Sequence, residues 1–328
     1  MMNVNFLGLL PCALKVPFEA CLGSHVKKFE NNKNLFKYSV VSNANNELSF
    51  FTKLNEMKEF SWLPDMVMAP GFNGFFYKSF MEKYKSSHFE AVIPSKINPL
   101  WKQLCLSDPE ENYTIFGFNP TVFLVDRTVH KEVPVPKRWR DLLEPEYINK
   151  VAIRGHNRSG QEIPMEFCEG ILLNMYKEEG EEGIKKLGRA VKWSLHPSQM
   201  IKMAGSKKSD VPAVSAVPYS FAKLVKESED ISIVWPEDGA IVNPITLLVK
   251  NSNQEKNNEM LEFLLNEFVG GMFAEVGFVS MHPETKDHFP ENISYKWLGW
   301  DFIHGYDLEE MKTYLNKVFW QTFGGRDL

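Results

Sequence analysis

The sequence predicts an α/β protein of two lobes joined by two connecting strands. Three observations carry this. Strand-like and helix-like runs alternate through the first third of the chain, the alternation restarts at Val151, and two long β-prone runs, each broken by an Asn-Pro pair, bracket the restarted series. Parallel strands need a crossover to regain the same edge of a sheet, so such alternation reads as a layered α/β arrangement.

The elements follow in order. Val4 to Leu10 is a short apolar run, and Phe18, Cys21, Leu22, Val26 and Phe29 recur at helical spacing. Leu35 to Val41 is rich in β-formers, Glu47 to Phe60 is amphipathic, and Asp65 to Ala69 is a strand that stops at Pro70-Gly71. Phe75 to Tyr84 reads as helix. Ile115 to Asp126 is the first long β-prone run, interrupted at Asn119-Pro120, where proline cannot donate to a ladder. After Val151 come helices near Pro164 to Lys177, Gly180 to Ala190 and Ser198 to Ala204. A strand at Ala213 to Val217, a helix at Tyr219 to Lys226 and a strand at Ile231 to Trp235 complete the series. Gly239 to Lys250, broken at Asn243-Pro244, is the second long run. Helices at Asn257 to Val269 and Leu308 to Phe323 then return to the first lobe. The expected division is 1–117 and 245–328 for a discontinuous lobe I, with 118–244 inserted as lobe II; no sequence repeat of solenoid length is seen.

With 328 residues, 44% of them hydrophobic and 24% charged, the chain can bury two cores. A net charge of −5 with scattered basic residues disfavours a nucleic-acid partner. No apolar stretch reaches the roughly 18 to 20 residues a membrane span needs. The first residues lack the positive region of a secretory signal, so the chain as written reads as cytoplasmic, with the cell envelope or periplasm as the alternative if a leader has been removed. Cys12, Cys21, Cys105 and Cys168 form neither a disulfide framework nor a metal-binding pattern, and the histidines show no paired zinc spacing. No phosphate loop, dinucleotide fingerprint or serine-hydrolase elbow occurs. No cofactor or metal is expected.

Three segments together resemble a known family: Asp65-Met66-Val67-Met68-Ala69-Pro70-Gly71-Phe72, Pro136-Lys137-Arg138-Trp139-Arg140-Asp141-Leu142-Leu143-Glu144-Pro145-Glu146-Tyr147, and Glu237-Asp238-Gly239-Ala240-Ile241-Val242-Asn243-Pro244-Ile245. With Gly270-Gly271 to Gly277-Phe278, they are similar to the type II periplasmic-binding-protein fold, specifically the extracellular solute-binding proteins of ABC importers near the iron-type group. The resemblance spans about residues 1 to 285. It implies two α/β lobes with a two-strand hinge that close over a small-molecule ligand, delivery to the membrane subunits of an ABC importer if the chain is exported, and a monomer.

Ligands of open α/β sheets bind beyond the carboxyl ends of strands, which selects the loops to inspect. Pro11 and Cys12 follow the first strand. Gly71, Phe72 and Asn73 follow the third and read either as ligand contacts or as an ordinary turn with a helix cap. Asn119 lies in the first connecting run. The loop from Arg154 to Glu162, with His156, Arg158, Ser159 and Gly160, reads either as an anion seat at a helix N-terminus or as a solvated capping loop. Tyr219 and Ser220 stand where the resembled ferric-ion binders carry adjacent tyrosines. One phenol replaced by Ser220 argues against direct iron chelation. Glu237 offers a carboxylate or is a solvated turn. Phe72, Tyr219 and Trp235 suggest an organic ligand surface, and a carboxylate- or phosphonate-bearing, hence anionic, molecule is expected. Two other readings stay open. One is an intracellular ligand sensor. The other is an enzyme on the same scaffold, like the thiamine-metabolising members of this fold, with Cys12 as nucleophile and Glu237 as acid.

Overall fold

Strand β1 (Phe6–Leu10) is buried along its whole length and lies between two parallel neighbours, β2 (Tyr38–Ser42) and β3 (Met66–Pro70). A near-continuous apolar run is what a parallel strand covered on both faces requires. The structure is a computed structural model that describes residues 4–29, 36–42, 50–51, 53–54, 56–57, 59–157, 162–163, 165–251, 254–283 and 289–326. Of the amphipathic segment expected from Glu47 to Phe60, positions 47–49, 52, 55 and 58 lie outside these residues. Among the described residues no helix is long and apolar enough to cross a membrane.

The chain forms two compact units. The first contains Met1–Phe118, Asn243–Phe289 and Gly299–Tyr306; the second contains Asn119–Val242, Pro290–Leu298 and Asp307–Leu328. In the first unit the strand order is β2-β1-β3-β11, where β11 (Ala240–Val249) returns antiparallel to β3 with Ile245 opposite Pro70 and Val249 opposite Met66. The second unit repeats the pattern. There β5 (Val151–Ile153) is flanked by parallel β8 (Val191–Ser194) and β9 (Val214–Pro218), and β4 (Thr114–Asp126) returns antiparallel to β9. Strand β10 (Ile231–Val234) pairs antiparallel with the other side of β4. Two units with the same strand order thus arise from sequences that share no recognisable repeat.

The two Asn-Pro runs do not end as strands at their prolines; each is one strand that changes partner there. In β4, Gly117 and Phe118 pair with β12 (Val279–Ser280), whereas Thr121 to Val125 pair with β9, so Pro120 falls between the β12 and β9 pairings. In β11, Ala240 and Ile241 pair with β13 (Tyr295–Lys296), and Ile245 to Val249 pair with β3, so Pro244 falls in the corresponding gap. The unit boundaries at 118/119 and 242/243 lie beside these prolines.

Several expected helices are redrawn. Helix α1 (Cys12–Phe29) begins at Cys12, well before Phe18, and runs through Pro17. Leu14, Phe18 and Leu22 are fully buried, and that packing outweighs the one ladder bond the proline removes. A one-turn 3-10 segment at Gly74–Phe76 precedes helix α2 (Lys78–His88), and a short helix, α3, spans Pro99–Gln103. The helix expected near Pro164 does not start there. Instead β6 (Gly155–Asn157) and β7 (Met165–Phe167) form an antiparallel ladder, and helix α4 (Glu169–Ala190) follows, with a non-helical Gly180 at φ 64° inside it. Next come α5 (Pro197–Met203) and α6 (Tyr219–Ala222), and Asn266 splits the late helix into α7 (Gln254–Leu264) and α8 (Glu267–Glu275) by accepting the Phe268 N–H at 2.8 Å.

The C-terminal assignment is also corrected. Helix α9 (Trp300–Gly305) belongs to the first unit, but α10 (Leu308–Thr322) packs on α4 in the second. Phe319 meets Phe167 at a ring-centroid distance of 4.3 Å, and Asn316 Oδ1 accepts the Phe167 N–H at 2.8 Å. The apolar stripe of Leu308, Leu315, Val318 and Phe319 needs a partner face, and α4, whose Ile171, Ile184 and Leu187 are buried, packs against this helix.

The segment Pro136 to Tyr147 acts as a latch in the second unit. The Trp139 indole donates to the Gly239 carbonyl at 2.9 Å and meets Phe123 edge-on at 4.7 Å, while its backbone N–H points at both Asp238 carboxylate oxygens at 3.2 Å. Asp238 is bridged at 2.9 Å by Lys296, which also holds Glu178. Gly239 has φ 105° and approaches the β13 backbone so closely that a Cβ would lie 2.6 Å from the Tyr295 carbonyl carbon, which leaves only glycine at this position. Trp139→Ala is expected to lower the unfolding free energy by about 3–5 kcal/mol, as truncation of a buried indole does, measured by urea denaturation.

In the first unit, the buried Lys85 joins Glu110 at 2.9 Å and His304 Nε2 at 3.0 Å, and His304 Nδ1 stands 3.5 Å from Glu110. Asp108 lies 3.9 Å from His304 and accepts the backbone N–H groups of Glu110, Asn112 and Tyr113. Burial, then the Lys85 ammonium, push the His304 imidazole below the ordinary histidine value of 6.5 against the pull of Asp108, Glu110 and Asp301. A hydrogen bond from Lys85 holds Glu110 below the usual carboxylate range, against burial. As pH falls below 6.5 the unfolded chain takes up the histidine proton first, so stability falls; the Glu110 contribution is lost later, below 4.5. His196 is displaced in the same direction by burial, then by Arg154. His304→Gln should therefore lose less stability than the parent between pH 7 and pH 5.5 in urea titrations, without abolishing the dependence.

Candidate functional site

Within each unit the parallel strands end at one edge, and the loops there hold most of the residues singled out from the sequence. In the first unit that edge carries Pro11 and Cys12 after β1, Ser42 at the end of β2, and Gly71 to Asn73 after β3. Cys12 is exposed at the first position of α1, and its Sγ lies 3.1 Å from Ser42 Oγ.

The loop after β3 is tightly built. Gly71, at φ 73°, donates its N–H to the Pro244 carbonyl at 2.8 Å. Asn73 caps the following turn, accepting the Phe75 N–H at 3.0 Å and donating to the Pro70 carbonyl at 3.1 Å. The Phe72 ring, expected to face a ligand, is instead fully buried against Phe76, with centroids 5.8 Å apart. Within this loop Gly71 is partly exposed, whereas Phe72, Asn73 and Gly74 are buried whole and face no solute.

In the second unit the same edge gathers Arg154 and His156 after β5, His196 after β8, Tyr219 and Ser220 after β9, and Trp235 after β10, which runs parallel to β9 because both are antiparallel to β4. Asn119 opens the second-unit half of β4. Its Nδ2 donates to Ser220 Oγ at 2.9 Å, and both residues are buried, so Ser220 fastens α6 to β4. Arg154 Nη2 meets His156 Nε2 at 2.6 Å. His156 thus lies in strand β6, not at a helix N-terminus as the sequence suggested. The helix that follows begins at Glu169. Burial pushes the Glu169 carboxyl up, but Lys312 and Arg154 outweigh it and hold the group below the usual range. Burial, with Glu169, pushes the Cys168 thiol up to about 11. Arg158, Ser159 and Gly160 lie outside the described residues.

Glu237 is on a turn with its N–H bonded to the Lys137 carbonyl at 2.8 Å and its carboxylate 3.4 Å from Arg138 and 3.9 Å from Lys137. Tyr219 has Trp235 beside it at 4.9 Å, and Trp235 in turn meets Tyr295 at 6.0 Å. Burial raises the Tyr219 phenol, with the Glu227 carboxylate adding to it, and burial raises the Tyr295 phenol strongly. Tyr295 and His196 were not foreseen. Tyr295 lies in a two-residue strand, too short for any periodicity, and only its pairing to β11 brings it to Tyr219. His196 caps α5 by accepting the Ser198 N–H at 3.2 Å, a role usually read from Ser, Thr, Asp or Asn.

Among the described residues no group of three or more His, Cys, Asp and Glu is placed to hold a metal ion. The arrangement offers aromatic faces, neutral phenols and one arginine–histidine pair, which suit reversible binding of a small molecule.

Comparison with solved structures shows the fold. The chain is similar to apo ferric ion-binding protein A of Pasteurella haemolytica, at 15% identity and a TM-score of 0.64, covering 97% of this chain and 98% of that one. It is similar to the Trichodesmium protein IdiA (FutA) in complex with iron and citrate, at 14% identity and a TM-score of 0.65, covering 97% and 98%. It is likewise similar to an ABC transporter structure from Clostridium perfringens, at 15% identity and a TM-score of 0.63, covering 97% of this chain and 100% of that one. The fold is that of type II periplasmic binding proteins. A comparison with curated protein sequences gives no match. The profile of the bacterial extracellular solute-binding proteins matches residues 61–305, most of the sequence, and the chain belongs to that family.

Proposed function

We propose that this protein is the solute-capturing component of an ABC-type importer, that it acts as a monomer outside the cytoplasmic membrane, and that it binds without chemical turnover. The family match carries the reading, and the Clostridium perfringens neighbour, described as an ABC transporter, supports it. An extracellular family favours the envelope alternative over a cytoplasmic sensor. The capturing surface of the second unit is its carboxyl edge, with Asn119, His156, Tyr219, Ser220 and Glu237 near the incoming solute. On the first unit taken by itself, the Pro11-Cys12 turn and Gly71 lie at the corresponding strand ends.

The Pasteurella and Trichodesmium neighbours are described as a ferric ion-binding protein and as a complex with iron and citrate, but a hard cation needs several anionic oxygen donors. Here Ser220, in place of a second adjacent phenol, is occupied by Asn119, and burial disfavours ionising Tyr219. An organic solute fits these residues better than a bare ferric ion.

The test is native mass spectrometry of the purified chain beside its denatured mass, followed by thermal melting with ferric citrate, organic acids, amines and vitamins. A solute at a hundredfold excess over its Kd should add about 2.7 kcal/mol to the folded state and raise the melting temperature by several degrees. No retained mass and no shift with any class would overturn the reading. The catalytic alternative makes a separate demand. Thiamine incubated with the chain and a nucleophile should stay intact, whereas cleavage that disappears in Cys12→Ser would replace binding with catalysis.

A further inference from the structure

We propose that Tyr219, Trp235 and Tyr295 form a receptor for the cationic head of an organic solute, of the quaternary or alkylated ammonium class. This names the solute class for the second unit's capturing surface and rests on that reading.

The three rings come from separate elements that only the topology unites: the end of β9, the end of β10, and β13 on the amino-terminal half of β11. Tyr219 and Trp235 are inclined at 56° with centroids 4.9 Å apart, and Trp235 and Tyr295 at 89° with centroids 6.0 Å apart. Rings at these angles make a bent wall and not a parallel slot, a shape that matches a compact, rounded head better than a flat ring. All three are partly exposed and pack against the apolar cluster that includes Val217, Ala222 and Ala240, which backs the wall.

Electrostatics selects the sign of charge. Aromatic faces carry negative potential and attract alkylated ammonium groups. The Glu227 carboxylate acts on Tyr219 and accepts the Ile233 N–H at 2.8 Å. Lys296 follows Tyr295 in β13, and strand alternation directs it to the opposite face, where Glu178 and Asp238 hold it at 2.6 Å and 2.9 Å. The wall therefore meets its ligand with a carboxylate nearby and its neighbouring lysine engaged elsewhere. Phenols raised by burial remain neutral at physiological pH and serve as faces and hydroxyls.

The experiment is isothermal titration of the full chain at pH 7 with choline and tetramethylammonium, beside 3,3-dimethylbutan-1-ol, which copies the shape of choline without its charge. Choline should bind at least about tenfold tighter than the neutral alcohol. Trp235→Leu and Tyr295→Leu should each weaken choline about tenfold, while Trp235→Phe keeps most of the affinity; melting without ligand verifies that each variant folds. The comparison of choline with its isostere on the parent chain needs no variant. Equal affinity for the two, or choline binding that Trp235→Leu leaves unchanged, overturns the proposal. Stabilisation by ferric citrate, carboxylates or phosphate with no response to either ammonium probe overturns it too, yet leaves solute capture standing. No response to any probe removes both.

Discussion

Two prolines that cannot donate to a ladder govern how this chain is divided. A strand that must be paired along its full length excludes proline, but one that exchanges partners partway has a position where no N–H is required. Pro120 and Pro244 stand where partners change: β4 passes from β12 to β9 around Pro120, and β11 passes from β13 to β3 around Pro244. Each strand thereby serves as the antiparallel return strand of one unit while continuing into the other. The Pro244 carbonyl, still an acceptor, takes the Gly71 N–H and so fixes the loop after β3. The same residue thus sets the exchange of strand partners and shapes a loop of the candidate surface.

The alternation of periods made β1, β3 and β9 legible in the sequence, because each is a largely apolar run closed by a proline, but not the short strands β6, β7, β8, β12 and β13. Helix limits were less legible because tertiary packing overrode local signals. Pro17 argues for a helix that starts after it, but burial of Leu14 beside Phe18 extends the helix back to Cys12. The ladder of β6 with β7 consists of three-residue strands, below the length at which alternation can be recognised, so the segment around His156 looked like a loop leading into a helix. The final helix was assigned to the wrong unit for a different reason. Its apolar stripe announces that it packs, and nothing in that stripe says against which helix; the match of Phe319 to Phe167 is a fact of three dimensions.

The candidate site shows the same limit. Its strand-end loops were legible because the rule that ligands lie beyond carboxyl ends is topological. The roles of the side chains within those loops were not. Asn73 and Ser220 look like ligand contacts in sequence, but both are engaged by the fold, one as the cap of its own turn and the other as the acceptor for Asn119. A hydroxyl committed to a buried amide loses that bond if it turns to a solute, and leaving the amide unpaired costs about 1–3 kcal/mol.

That accounting separates two kinds of polar residue at the second unit's edge and bears on what the protein can capture. Groups bound into the fold set the shape of the surface. The partly exposed rings of Tyr219, Trp235 and Tyr295 are the contact surface proposed here. Aromatic rings lose little conformational freedom on binding and need not be ionised, so burial that would hinder a phenolate from forming does not weaken them as contact surfaces. A fold shared with proteins named for ferric ion can in this way present a different chemistry, because the architecture fixes where strands end while the residue after each strand fixes what is held there.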